Sequence, residues 1–345
     1  MRHARSPSGH GPSAPFRAAI AGWFGFGNVG DDLIMMLLNR HAHPVVTFST
    51  QDTRSNRIKL EHVDTINRWR DRFDLLFVGG GGLLYKRYID MLGLEKLEKP
   101  YGFLSVGIPH QDWLEGLDDV VSRAAFVTLR DPHAVRMFTE TFPHVPCSLL
   151  PDPAFLLAEE DAGVWRPRRR HRRRRGFPRI LVNVRFIPKH WLRPTDPPDA
   201  VERQIEGVNA LIEKYRHEVE FIGIGFDPKD ERVLPDLACP SSIAGPVEAV
   251  RAIRGADGII ATRLHASIIA AAVGTPAVMV EYQAKVAGLA TLLAREHDLI
   301  PLEDPMAAAG FIEERVNHPS RREPLQQVRG LASQIRSFLE SPPAS

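Results

Sequence analysis

Arg263 and His265 are the residues of this chain best placed to do chemistry. They stand in the segment Ile259–Pro276, IIATRLHASIIAAAVGTP, between an apolar strand ending at Ala261-Thr262 and a helix of small apolar residues. Gly274 and Pro276 stop that helix. A strand-to-helix junction aims unpaired backbone N–H groups and the positive end of the helix dipole at one spot, which favours an anion. Arg263 adds a planar donor fork suited to carboxylate or phosphate, and His265 adds a proton carrier that works near neutral pH. Leu264 lies between them. The competing reading is structural, with Arg263 in an interdomain ion pair and His265 a hydrogen-bonded core histidine.

Two further cations fit such a site. Arg130 closes a strand in Thr128-Leu129-Arg130-Asp131, and Pro132 opens the next helix. It can meet an anion, or pair with Asp131 or Asp152. Lys285, in Glu281-Tyr282-Gln283-Ala284-Lys285, is either a second anion contact or a surface lysine. Near the start, Gly25-Phe26-Gly27-Asn28-Val29-Gly30 matches GxGxxG between a strand and a helix, the setting of a dinucleotide fingerprint. That reading is weak here. Strand Val45–Phe48 runs into Ser49-Thr50-Gln51, so the ribose-binding acid comes late at Asp52, and Asp31-Asp32 would repel a pyrophosphate. A second cluster, Gly79–Gly82, follows the apolar strand Leu75–Val78. Both clusters end strands, where open α/β sheets bind ligands, so Gly27, Asn28, Gly30, Asp31, Asp32, Gly80, Gly81 and Gly82 are cleft candidates.

The elements that position these groups alternate strand and helix, which predicts parallel sheets covered by helices. The first half reads as strands at Ala18–Gly22, Val45–Phe48, Leu75–Val78, Phe103–Gly107 and Phe126–Leu129, with helices at Asp32–Arg40, Leu60–Arg70 and Pro132–Phe142. The second half reads as strands at Ile180–Val184, Val219–Gly223, Ile259–Ala261 and Ala277–Val280. Helices fall near Ala200–Arg216, Pro246–Arg254, Leu264–Val273, Ala284–Ala294 and Pro324–Leu339. Between the halves lies RPRRRHRRRRGFP, residues 166–178. A like-charged block cannot pack in a core and reads as an exposed linker, with an electrostatic patch as its alternative. The expected division is a disordered tail at 1–15, domains at 16–155 and 178–320, an arginine-rich linker at 156–177, and a C-terminal helix and tail at 321–345.

Composition excludes several classes. The 345 residues suit two domains, with 43% hydrophobic and 25% charged residues. A net charge of +2 gives no polyelectrolyte character, so no nucleic-acid partner is expected. Cys147 and Cys239 lack metal or CxxC spacing, which fits a reducing cytoplasm, and the histidines lack zinc spacing. No apolar run reaches the roughly 18 residues of a membrane span.

Taken in order, GFGNVGDDLI, GGGGLL, TLRD, PDPAF, TRLHAS and GTPAVMVEYQAKV resemble the polysaccharide pyruvyl transferase family over roughly residues 18–290. The resemblance implies an α/β fold of two Rossmann-like domains facing a central cleft, similar to GT-B glycosyltransferases, with the acceptor on the first domain and the donor on the second. It implies phosphoenolpyruvate as donor, a sugar or lipid-linked glycan as acceptor, a pyruvate ketal and phosphate as products, and no cofactor. In such a protein His265 would be the general acid, Arg263 and Arg130 would hold the donor, and Leu264 and Lys285 would join them. A cytoplasmic enzyme with peripheral contact at the inner membrane face is compatible with this. The alternative on the same plan is a nucleotide-sugar glycosyltransferase with Glu281 holding a ribose, and from another class, an arginine-tract binding protein.

Overall fold

Short apolar runs that end in glycine or a charge build two parallel sheets in the computed structural model, which describes residues 17–44, 46–49, 57–59, 66, 68–161, 165, 176–188 and 196–342. The expected tail at 1–15, the arginines of 166–175 and most of the helix expected at Leu60–Arg70 lie outside the described residues. The first sheet holds β1 (Ala18–Ala21), β2 (Val46–Ser49), β3 (Arg57–Lys59), β4 (Leu75–Gly81), β5 (Tyr101–Val106), β6 (Val127–Leu129) and β7 (Ser148–Leu149), in the order 3-2-1-4-5-6-7. The second holds β8 (Arg179–Asn183), β9 (Glu220–Gly225), β10 (Ser241–Ile243), β11 (Gly258–Ala261), β12 (Ala277–Glu281) and β13 (Leu299–Pro301), in the order 10-9-8-11-12-13. Neighbours pair in parallel, with Ala19 opposite Val46 on one side and Leu76 on the other. This is an α/β fold of two Rossmann-like units. Sequence order reverses beside β1 and beside β8, and each reversal opens a crevice at the carboxyl ends of its strands.

Strand periodicity explains the layers. Ala18 and Ile20 of β1 enter one apolar core while Ala19 and Ala21 enter the other. The first of these cores continues across both sheets. Its centre is the buried 3-10 turn Pro153–Glu159, which packs against helices Val29–His41, Leu264–Val273 and Gln326–Glu340. The last of these helices returns to the first domain, with the Phe338 ring 5.0 Å from that of Phe126 and Arg336 paired to Glu159 at 3.2 Å.

The domains also meet at the start of helix Val29–His41. The Asn28 side chain caps it by accepting from Gly30 N–H at 3.0 Å. Val29 N–H, unpaired within its own helix, donates to Phe226 O of the second domain at 2.8 Å. Gly30 then lies directly against His265: a Cβ there would come 1.8 Å from the imidazole Nδ1. Glycine is needed here for space.

This gives one substitution two opposite effects. Gly310 is also in a helix, with nothing within 4 Å of a Cβ. Gly310→Ala should raise stability by up to about 1 kcal/mol through helix propensity. Gly30→Ala should lower it by about 1–3 kcal/mol through overpacking at the interface. Thermal unfolding of both variants checks this, and equal shifts would show that the Gly30–His265 contact is not tight.

Candidate active site

The two crevices face each other across one open cavity of about 1530 Å³. From the first domain it is lined by Asn28, Asp31, Gly81, Gly82 and Arg130, and from the second by Arg263, Leu264, His265 and Lys285, all anticipated from sequence. The other anticipated residues stand behind the lining and shape the loops. Gly27 has φ +79° and faces Pro228, and Gly80 has φ +76° over Ile34. Asp32 accepts from Gly25 N–H at 2.6 Å, which fixes the loop before its own helix.

His265 begins helix Leu264–Val273 and reaches across the cleft. Its Nε2 lies 3.4 Å from Asp152 Oδ2 of the first domain. Arg130 donates to the same carboxylate oxygen from Nη1 at 3.3 Å, and Ala154 N–H donates to the other at 3.0 Å. Burial pushes the Asp152 carboxyl up, but His265, Arg130 and the Ala154 N–H outweigh it and hold it below the usual carboxylate range. Asp152 therefore orients the imidazole and offers an imidazolium its counter-ion.

Arg263 is not open as a fork. Its Nε and Nη2 donate to both oxygens of Asp230 at 2.8 and 2.6 Å. The Asp230 oxygens also accept from Phe186 N–H and Phe226 N–H at 3.1 and 3.0 Å. Asn183 Oδ1 accepts from the Arg263 backbone N–H at 2.9 Å. The ion pair thus lies within the second domain and ties the ends of β8, β9 and β11 together. Arg263 still borders the cavity, but its carboxylate partner is already in place.

Positive potential concentrates one step further along. Arg185, at the end of β8, donates to the Tyr282 hydroxyl and lies 4.7 Å from that ring's centre. Lys285 Nζ lies 5.0 Å from the same ring. Burial pushes the Tyr282 phenol up, yet Arg185, Lys285 and Arg263 together bring it down to about 8. Burial, then Arg185 and Arg130, lower the Lys285 ammonium to about 8 against the pull of Tyr282. The Tyr282 shift reports the cations around that ring and the Lys285 shift chiefly its burial, and an anion bound there would favour the ammonium.

Arg185 was not among the anticipated residues. Its signal is its place directly after the apolar run ending at Val184, where the crevice must open. Asp227 and Asp230 escaped notice because their partner is 33 or more residues away in the chain, beyond any local pattern.

Asp31 is buried in the same site, and desolvation raises its carboxyl to about 6 despite the nearby His265 and Arg130 charges. Its unfolded value is 3.8, so the folded chain holds this proton more tightly and loses stability as pH rises from about 4 to about 6. Asp31→Asn cannot ionise. Its stability relative to the wild type should climb between pH 4 and pH 7, by on the order of 3 kcal/mol. Denaturant titrations at the two pH values measure this, and a constant difference would mean Asp31 ionises without cost.

The model of the polysaccharide pyruvyl transferase family matches residues 28–284. No curated protein matches the chain in sequence. Among solved structures, the S. aureus MnaA-UDP co-structure superposes with a TM-score of 0.59 at 11% identity, covering 94% of this chain and 97% of the other. UDP-GlcNAc 2-epimerase from Neisseria meningitidis bound to UDP-GlcNAc gives 0.58 at 9%, covering 94% and 99%. The UDP-forming alpha,alpha-trehalose-phosphate synthase from Burkholderia xenovorans, in complex with glucose-6-phosphate, gives 0.54 at 11%, covering 93% and 96%. At such identities the likeness shows the fold, the two-domain GT-B plan. No described helix is long and apolar enough to cross a membrane. With a family match over well more than half of its length, the chain belongs to the polysaccharide pyruvyl transferases and is a transferase.

Proposed function

We propose that this enzyme moves the pyruvyl group of phosphoenolpyruvate onto two hydroxyls of a glycan, forming a cyclic ketal and releasing phosphate. The observation that carries the reading is His265, paired to the buried Asp152 and lining the same cavity as Arg185, Tyr282 and Lys285. Phosphoenolpyruvate puts a carboxylate and a phosphate on one small skeleton, so it needs several cations at one place. Arg185 and Lys285 line the cavity together with Arg263 and Arg130, which are fixed by Asp230 and Asp152.

His265, which lines the cavity, supplies the proton. It goes to the terminal methylene carbon of the donor, whose C=C electrons form the new C–H bond and leave C2 electron-poor. One sugar hydroxyl adds to C2, the C2–O bond to phosphate breaks, and a second hydroxyl closes the ketal. Of the two hydroxyl protons, one balances the proton given by His265 and the other leaves with phosphate. Asp31, raised to about 6 and lining the cavity, is placed to take a hydroxyl proton.

The GT-B neighbours support a second reading, sugar-nucleotide transfer. The carboxylate expected to hold a ribose, Glu281, ends β12 outside the cavity lining. Phosphate release from phosphoenolpyruvate against a glycan panel, beside UDP binding, separates the two; UDP binding without phosphate release would replace the first with the second.

His265→Ala and His265→Gln should each lose about a hundredfold or more in single-turnover rate per folded molecule while donor affinity stays close to wild type, and both should lower the melting temperature because Asp152 loses one partner. Ketal formation at near wild-type rate in either folded variant would remove His265 from proton transfer.

Donor affinity should also fall as pH rises through about 8, where Lys285 loses its proton and Tyr282 gains charge. Binding near pH 8 should draw a proton from solution, because the bound anion favours the ammonium. Calorimetry in two buffers of different ionisation enthalpy counts that proton. Lys285→Met should bind weakly at pH 7 and converge on the wild type by about pH 9.5. A pH-independent affinity would mean the donor sits elsewhere.

A further inference from the structure

The cavity's two sides differ in chemistry. The second domain presents Arg185, Arg263 and Lys285, while the first presents a row of aromatic rings alongside Lys86, Arg87 and Arg130. Trp23 follows β1 and stacks on Phe26 at 4.0 Å, with Tyr88 edge-on at 6.1 Å. Tyr88 and Tyr85 follow β4 and lie 6.0 Å apart, and Tyr85 is 5.6 Å from Trp113, which follows β5. Since β1, β4 and β5 are neighbours in the sheet, the rings run side by side along one wall. Trp113 is 36% exposed and Trp23 and Tyr85 are half-buried, so ring area remains open to the cavity. Asp90, Asp112 and Glu115 border the same wall as acceptors and Lys86 and Arg87 as donors, with Lys86 paired to Asp90 at 2.8 Å.

Aromatic faces rimmed by hydrogen-bond donors and acceptors match a pyranose, which has flat C–H faces and an edge of hydroxyls. Phosphoenolpyruvate has no apolar face to lay on the rings. Size points the same way. Phosphoenolpyruvate and one hexose together have 22 non-hydrogen atoms, on the order of 660 Å³ even at one water volume each. The cavity, at about 1530 Å³, is more than twice that.

We infer that the Trp23–Tyr85–Trp113 wall is a glycan subsite that stacks pyranose units next to the one being modified. The enzyme therefore takes an oligosaccharide or longer chain in preference to a free monosaccharide. This rests on the pyruvyl-transfer reading only for which sugar reaches His265; the stacking itself does not depend on the donor.

Calorimetric titration without donor, using maltotetraose, cellotetraose, mannotetraose and a β-linked galactotetraose beside their monosaccharides, tests the wall. At least one tetrasaccharide should bind more than about tenfold tighter than its monosaccharide. Trp113→Ala and Tyr85→Ala should each remove that advantage, and Trp113→Phe should keep it to within about threefold. Equal affinity across chain lengths for every sugar, or alanine variants that bind like wild type, would overturn the subsite. Titration of phosphoenolpyruvate on the same proteins keeps the two ideas apart. Donor binding with no wall dependence sinks the subsite alone, and wall-dependent glycan binding with no donor binding sinks pyruvyl transfer alone.

Discussion

Cations cannot crowd one cleft unless something answers their charge, and the buried carboxylates of Asp230 and Asp152 answer it for Arg263, Arg130 and His265. Asp230 takes both arms of the Arg263 fork and two backbone N–H groups, so every strand end around it is referred to one point. Asp152 does the same across the domains, meeting Arg130 from one side and His265 from the other. Buried ion pairs of this kind add little net stability, but removing one partner strands a charge in a poor solvent for it. Their contribution is placement. They fix where the imidazole and guanidinium groups stand.

The central strands were legible because each is an apolar run closed by glycine or a charge, as in Leu75–Gly81 and Gly258–Ala261. The edge strands were not. Arg57-Ile58-Lys59 carries charge at two of three positions, and Ser148-Leu149 is exposed at both. Such strands form because a neighbour offers a row of backbone partners, and their own sequence says little. Helix Leu264–Val273 has the limits read from its flanking Arg263 and Gly274, since the αL stop at Gly274 (φ +72°) is local chemistry.

For the site, residue type was readable and partnership was not. His265, Arg263 and Arg130 all border the cavity, and Asp152 was already a candidate partner of Arg130. What no spacing announces is that Asp230 would close the Arg263 fork, or that Tyr85 and Trp113 would meet across separate loops. The glycines split likewise. Gly81 and Gly82 border the cavity, whereas Gly30 makes room for a histidine 235 residues away.

The return of helix Gln326–Glu340 to the first domain has a mechanical result. The chain crosses between the sheets once after Glu159 and again through this helix, which rests on Pro153–Glu159 and Phe126. Both ties rest on Pro153–Glu159, so Asp152, the residue just before it, presents its carboxylate to His265 from the segment that joins the two domains.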